Sequence, residues 1–214
     1  MKKLFLIAAL ASLSATSFAE EVYTAVGTTG FVLGASKEFS ENLTARIEGN
    51  YLNYGRNFDS SDVKYDAKIK MSSLGLYADY FPFGSSSSGF RLTAGAMIGK
   101  DKVTGNGVAN SNGTFTINGT EYSAAGESIN VEAKFPNVRP YAGIGYGHTI
   151  SKGFGFIADL GVAYGKASVN LNASQGLVNA AGQANIDAER NSAQDTLNKY
   201  KFYPVAKVGF AYTF

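Results

Sequence analysis

Seven charged side chains stand in segments whose alternate residues are apolar: Arg46, Glu48, Asp79, Arg91, Arg139, Asp159 and Lys207. Glu48, Asp79 and Asp159 could attract a cationic solute while the four cations hold its carboxylate, which is the chemistry of selective binding rather than of bond breaking. Tyr141 shares the parity of Arg139 and adds a phenol, and Tyr77 and Tyr203 fall on the same side. The set also admits mutual pairing as a plug, because charges taken out of water must be neutralised. The single histidine, His148, shares the parity of Ala142, Ile144 and Tyr146, which places it on an apolar face near an interface. Histidine-dependent hydrolysis or acyl transfer is therefore disfavoured, and the chain is read as no enzyme. Without cysteine there is neither a thiolate metal site nor a disulfide, and no Asp/Glu spacing marks a calcium loop, so no metal or cofactor is expected.

Strands must position such a set, because period-2 alternation sends successive side chains to opposite faces. The C-terminus shows the pattern best: Ala206, Val208, Phe210, Tyr212 and Phe214 form one face, with Lys207, Gly209, Ala211 and Thr213 between them. A terminal Phe preceded by alternate aromatics is what strands of bacterial outer-membrane barrels present to the assembly machinery, so these five residues are read as an insertion signal. Phe154 to Tyr164 carries a second ladder, long enough for a crossing of ~9–11 residues. Weaker ladders run through Phe31 to Ala35, Leu43 to Tyr51, Leu74 to Tyr80, Phe90 to Ile98 and Ala142 to Tyr146. These make seven strands, and since bacterial single-chain barrels use even numbers, Glu21 to Val26 must supply an eighth. It would turn back at Gly27-Thr28-Thr29-Gly30 and close the barrel beside the last strand, leaving no bare sheet edge in lipid. Lumen-side glycines, among them Gly75, Gly95, Gly143, Gly145 and Gly161, either leave a cavity or ease curvature, and spacing alone does not separate the two.

The expected fold is thus all-β, an eight-stranded antiparallel transmembrane β-barrel. Short turns at Glu38 to Asn42, Gly84 to Gly89 and Ser151 to Gly153 contrast with long polar segments at Asn57 to Asp66, Thr104 to Ser128 and Ala173 to Asn198. Short turns are periplasmic and long loops extracellular in such barrels, so both termini are expected in the periplasm of a Gram-negative cell. Asn118-Gly119 predicts a hairpin within the second loop, and Ile186, Glu189, Arg190, Ala193 and Leu197 fit either a short helix or irregular chain in the third. Residues 1–19 read as a cleaved signal peptide, with Lys2 and Lys3 before an apolar run and small residues before Glu20, leaving 20–214 as the barrel. Losing those lysines leaves seventeen cations against seventeen carboxylates, a neutrality that argues against nucleic acid. Tyrosines and phenylalanines near strand ends are read as interfacial girdles.

Val26-Gly27-Thr28-Thr29-Gly30, the stretch from Pro140-Tyr141-Ala142-Gly143 through Ile150-Ser151-Lys152 to Gly161-Val162-Ala163-Tyr164, and Tyr203 to Gly209 resemble the CarO-type outer-membrane proteins. The resemblance covers most of the chain in order. It implies an eight-stranded barrel linked to uptake of basic amino acids such as ornithine and to carbapenem entry, with the existence of an open pore disputed. The chain departs from that family in a shorter mature N-terminus, in its loops, and in ending in Phe rather than Trp. The expected function is a narrow porin-like channel for small cationic or zwitterionic solutes. The alternative is a closed OmpA-type structural or surface-interaction barrel whose long loops contact a partner. Expected partners are outer-membrane lipid and lipopolysaccharide, the barrel-assembly machinery through the last strand, and small solutes.

Overall fold

The computed structural model describes residues 19–59, 63–85, 88–110, 113–148 and 152–214. The expected signal peptide, apart from Ala19, and part of the turn at Ser151 to Gly153 lie outside the described residues. Eight strands form a closed antiparallel ring. In chain order they are β1 (Glu21–Gly27), β2 (Gly30–Ser40), β3 (Leu43–Asp59), β4 (Val63–Tyr80), β5 (Arg91–Gly99), β10 (Val138–Tyr146), β11 (Gly153–Tyr164) and β13 (Phe202–Thr213). Consecutive strands pair around the ring, β4 with β5 among them, and the ring closes where β1 pairs with β13 (Glu21 opposite Thr213). A two-residue hairpin at Thr28-Thr29 joins β1 to β2, with Gly27 opposite Gly30. Both glycines lie against neighbouring backbone with no room for a side chain, since a Cβ would lie 2.0 Å from the Ala206 carbonyl oxygen at Gly27 and 2.2 Å from the Tyr51 carbonyl oxygen at Gly30.

Alternation sorts these strands inside out relative to a water-soluble protein. Val26, Phe31, Leu33, Ile47, Leu76, Leu92, Phe156, Leu160, Val208 and Phe210 are exposed around the outside, whereas the charged residues between them are buried. An apolar belt of this extent is stable only against another apolar phase, and a closed ring leaves no unpaired backbone to face it. Edge-to-face ring pairs reinforce the outside, Phe154 on Tyr212 at 4.9 Å and Tyr212 on Phe214 at 5.4 Å.

Two of the segments expected as long loops are largely sheet. Asn57 to Asp66 is mostly the upper part of the β3–β4 hairpin, and Thr104 to Ser128 holds most of β6 (Lys102–Ala109), the hairpin of β7 (Thr114–Ile117) and β8 (Thr120–Ser123), and the start of β9 (Ser128–Lys134). The ladder simply continues: Leu74 faces Ile98 in the ring, and four residues on, Lys70 faces Lys102 with the register unchanged. The same holds from Val138 opposite Ile98 to Lys134 opposite Lys102. Their outward residues turn polar above the belt, which removes the apolar signal while the hydrogen-bond ladder persists. With β12 (Ser168–Ala173) paired to β9, these strands raise a head on one side of the barrel.

Two helices follow β12, α1 (Gln175–Ala181) and α2 (Gln183–Leu197), the second covering the segment around Ile186 that fitted either a helix or irregular chain. The head has its own core, built from Val63, Ala109, Phe115, Ile117, Ala124, Leu177, Ala181 and Ile186. Gln194 on α2 seals the edge of the sheet, accepting from the Val169 N–H at 2.8 Å and donating to the Ala167 carbonyl at 2.9 Å. Leu177 is fully buried at the centre of this core, so Leu177→Ala should cost the head about 2–5 kcal/mol. The expected result is faster tryptic cleavage at Arg190 and Lys199 with an unchanged barrel band on unheated gels. Unaltered cleavage would show that the head owes little to this packing.

Candidate functional site in the barrel interior

All eight residues expected to bind a solute point into the ring, and each is at most 6 % exposed. They sit in three tiers. In the lowest, Arg46 (β3) grips Asp79 (β4) through Nε and, at 3.1 Å, through a terminal nitrogen, and reaches Asp159 (β11) at 3.4 Å. Arg91 (β5) donates to Asp159 at 2.7 Å and to the Gly147 carbonyl at 3.0 Å, and lies 3.5 Å from Asp79. Thr93 donates a further 2.6 Å bond to Asp79. The middle tier centres on Glu48, whose carboxylate accepts from Lys207 at 2.7 Å, Tyr23 at 3.0 Å, Tyr77 at 3.1 Å and Asn50 at 3.1 Å. In the upper tier Arg139 pairs with Asp101, which also accepts the Ser72 N–H at 2.8 Å. Tyr141 packs edge-on against Tyr77 at 5.0 Å between the tiers. Tyr203, half-buried, packs against the lumen cluster of Tyr77, Met97 and Tyr141 and donates to the Thr28 carbonyl at 2.7 Å.

Charge accounting changes once the structure is seen. Glu21 and Asp101 join Glu48, Asp79 and Asp159, so five carboxylates face the four cations rather than three. Asp101 follows the end of β5, next to a stretch read as loop, and Glu21 opens a strand whose inward parity was never assigned. The parity of Tyr23 and Ala25, both buried, is the signal that would have found Glu21.

His148 corrects the reading most sharply. It is buried inside the barrel, not on the lipid face. After Tyr146 the chain leaves the ladder, with Gly147 at φ 92° and His148 at φ 59°, and two successive left-handed residues break the period-2 rule and swing the ring inward. There Nδ1 meets Glu21 and Nε2 lies 3.3 Å from an Arg46 nitrogen. Arginine only donates, so Nε2 must be the lone-pair nitrogen and the imidazole is the neutral Nδ1–H form. The imidazole is thus held between a cation and a carboxylate as part of the interior network.

The glycines answer a question that spacing left open. A Cβ at Gly34 would lie 2.3 Å from the Tyr23 ring, at Gly75 2.4 Å from the Tyr77 ring, and at Gly161 2.4 Å from the Tyr141 hydroxyl. At Gly145 it would lie 2.6 Å from the Arg91 guanidinium. The space vacated by glycine is therefore taken by large neighbours. These glycines let the barrel fill rather than hollow out.

No family model and no curated protein matches the sequence. Solved structures do: CarO of Acinetobacter baumannii matches with a TM-score of 0.66 at 21% identity, over 92% of this chain and 99% of that one. CarO2 of the same organism matches with a TM-score of 0.66 at 23% identity over the same shares. At such identities the likeness concerns the fold.

Proposed function

The chain carries the CarO fold, and from that premise we infer that it is an outer-membrane β-barrel whose resting lumen is closed. One observation carries this reading: the bore is occupied from Glu21 to Asp101 by side chains whose charges pair with one another, with Asp79 and Arg91 wholly without exposed surface, although Arg91 Nε, Arg139 Nε and the Tyr141 hydroxyl have no hydrogen-bond partner among the described residues. An eight-stranded ring has room inside for little beyond its own side chains. Lumen charges that pair serve as a plug holding the wall together, and the eight residues singled out for solute binding take that role here. The surface left for business with the outside is the head. In this reading the termini are periplasmic, since they meet at the end opposite the head, where the Phe214 N–H donates to the Glu20 carbonyl. The outward ladder from Ala206 to Phe214 serves insertion by the assembly machinery.

A second reading, a narrow path for cationic or zwitterionic solutes, is favoured by one feature. A cavity of about 520 Å³ is lined by Asp101 and Phe135 beside the upper tier, so a solute held there would stand next to the Arg139–Asp101 pair. Single-channel recording separates the readings. Folded protein in planar bilayers is expected to be silent, and liposomes containing it to swell no faster in ornithine or arginine than empty ones. Reproducible small conductance with faster entry of the cationic amino acids would overturn the closed barrel and make Arg139 and Asp101 the gate.

A further inference from the structure

On the outer face of the wall the apolar belt ends in one row, Leu74, Ile98 and Val138, which are direct cross-strand neighbours and exposed. Four residues farther along, past the strand breaks at Lys100–Asp101 and Phe135–Asn137, Lys70, Lys102 and Lys134 form a second row of direct neighbours in the same register. Lys100 stands between the rows and Lys68 just beyond the second, both with outward parity. Four residues of strand span roughly 13 Å, and less along the membrane normal because barrel strands tilt. The headgroup layer is about 5–8 Å thick on each side, so the second row stands at its outer limit, within reach of a lysine side chain.

Like charges placed directly opposite across strands destabilise a sheet. Here three follow one another, and the compensation is partial. Glu132 accepts from Lys102 at 2.7 Å and from Lys134 at 2.8 Å, and hydrogen bonds from these lysines hold its carboxyl below the usual carboxylate range. Among the described residues no carboxylate lies within ion-pair distance of Lys68, Lys70 or Lys100. The cavity of about 520 Å³ described above opens at this level, its lining including Lys70, Lys100, Lys102 and Lys134 as well as Asp101 and Phe135. The opposite rim differs: Glu20, Glu38 and Glu41 gather there, against Lys37 and Lys152. The excess of cations belongs to the head side alone.

We propose that the row Lys70–Lys102–Lys134, with Lys100, binds the phosphates of a phosphorylated glycolipid of the outer leaflet, its acyl chains lying on Leu74, Ile98 and Val138 below. The inference rests on the membrane reading given above. A free anion would use the lysines and leave the belt idle, whereas an anionic head joined to acyl chains matches both rows at their observed spacing. Lys70, Lys102 and Lys134 project from paired strands, so their backbone positions are fixed before the lipid arrives.

The test uses the full protein folded in detergent micelles. Diphosphoryl lipid A, its dephosphorylated form and inorganic phosphate are titrated separately, with native mass spectrometry counting bound lipid and the melting temperature read in parallel. At about 1 kcal/mol for each cation near an anionic surface, K70Q/K102Q/K134Q should bind diphosphoryl lipid A roughly 100-fold more weakly. The matching arginine variant should retain binding, and K37Q/K152Q on the far rim should change nothing. The wild type should prefer the phosphorylated lipid over the dephosphorylated one by a similar factor. Equal binding by wild type and the glutamine variant would overturn the site, and competition by inorganic phosphate at equal concentration would overturn the glycolipid in favour of a small anion. Failure of the membrane reading would show itself earlier, as protein that never yields a heat-modifiable band in micelles or vesicles.

Discussion

Arg46→Leu is expected to destabilise the barrel by about 3–5 kcal/mol, read as a fall in the urea midpoint of refolding into vesicles. Arg46 donates to Asp79 and Asp159, meets His148, and lies over the rings of Tyr23 and Tyr77 at 5.8 and 5.2 Å. Leucine keeps some of the packing and removes every donor. Asp79 is then left with Thr93 at 2.6 Å and Arg91 at 3.5 Å, while Arg91 is already engaged by Asp159 at 2.7 Å. A buried carboxylate short of a partner is the costly product of such a change. The double variant R46L/D79L removes both sides, leaves Arg91 and Asp159 as a matched pair, and should recover more than half of the loss. Simple additivity of the two single losses would mean that the interior charges do not act as a network, and the plug argument would fail with it.

Gly209→Val should prevent closure of the barrel, a loss above about 4 kcal/mol, visible as absence of the compact unheated form on gels. Gly209 faces Ala25 across the β1–β13 seam. A Cβ there would lie 2.0 Å from the Thr24 carbonyl oxygen and 2.6 Å from the Ala25 Cα, so the obstacle is backbone and no side chain can rotate away. Gly155 on β11 supplies the contrast, because a Cβ at that position meets nothing within 4 Å. Gly155→Ala should leave stability within about 0.5 kcal/mol, and an equal effect at both positions would show that strand propensity, not the seam, decides.

Much of the ring was legible in the sequence because lipid and lumen impose opposite demands on successive residues. From Phe154 to Tyr164 and from Ala206 to Phe214 each outward residue is apolar or small, and the buried charges fall at the alternate positions. Above the belt that contrast ends. Lys68, Lys70 and Lys102 face outward above the hydrocarbon that would exclude them, so strands that keep the same register read as polar loop. Parity also fails wherever the backbone leaves the extended region, and two left-handed residues were enough to misplace His148. Glycine had two readings because its effect depends on the rotamers of Tyr23, Tyr77 and Tyr141, which lie on neighbouring positions and strands and are invisible to spacing.

The seam between β1 and β13 also sets a timetable. Glu21 lies opposite Thr213, so the pairing that removes the last bare edges joins residues nearly two hundred positions apart. Contacts of that separation form late, after the entropy of ordering the intervening chain has been lost, and until then the apolar ladders have no wall to belong to. Closure at this seam is therefore the step on which the whole wall depends, because the edges of β1 and β13 stay bare until both ends of the ring are present.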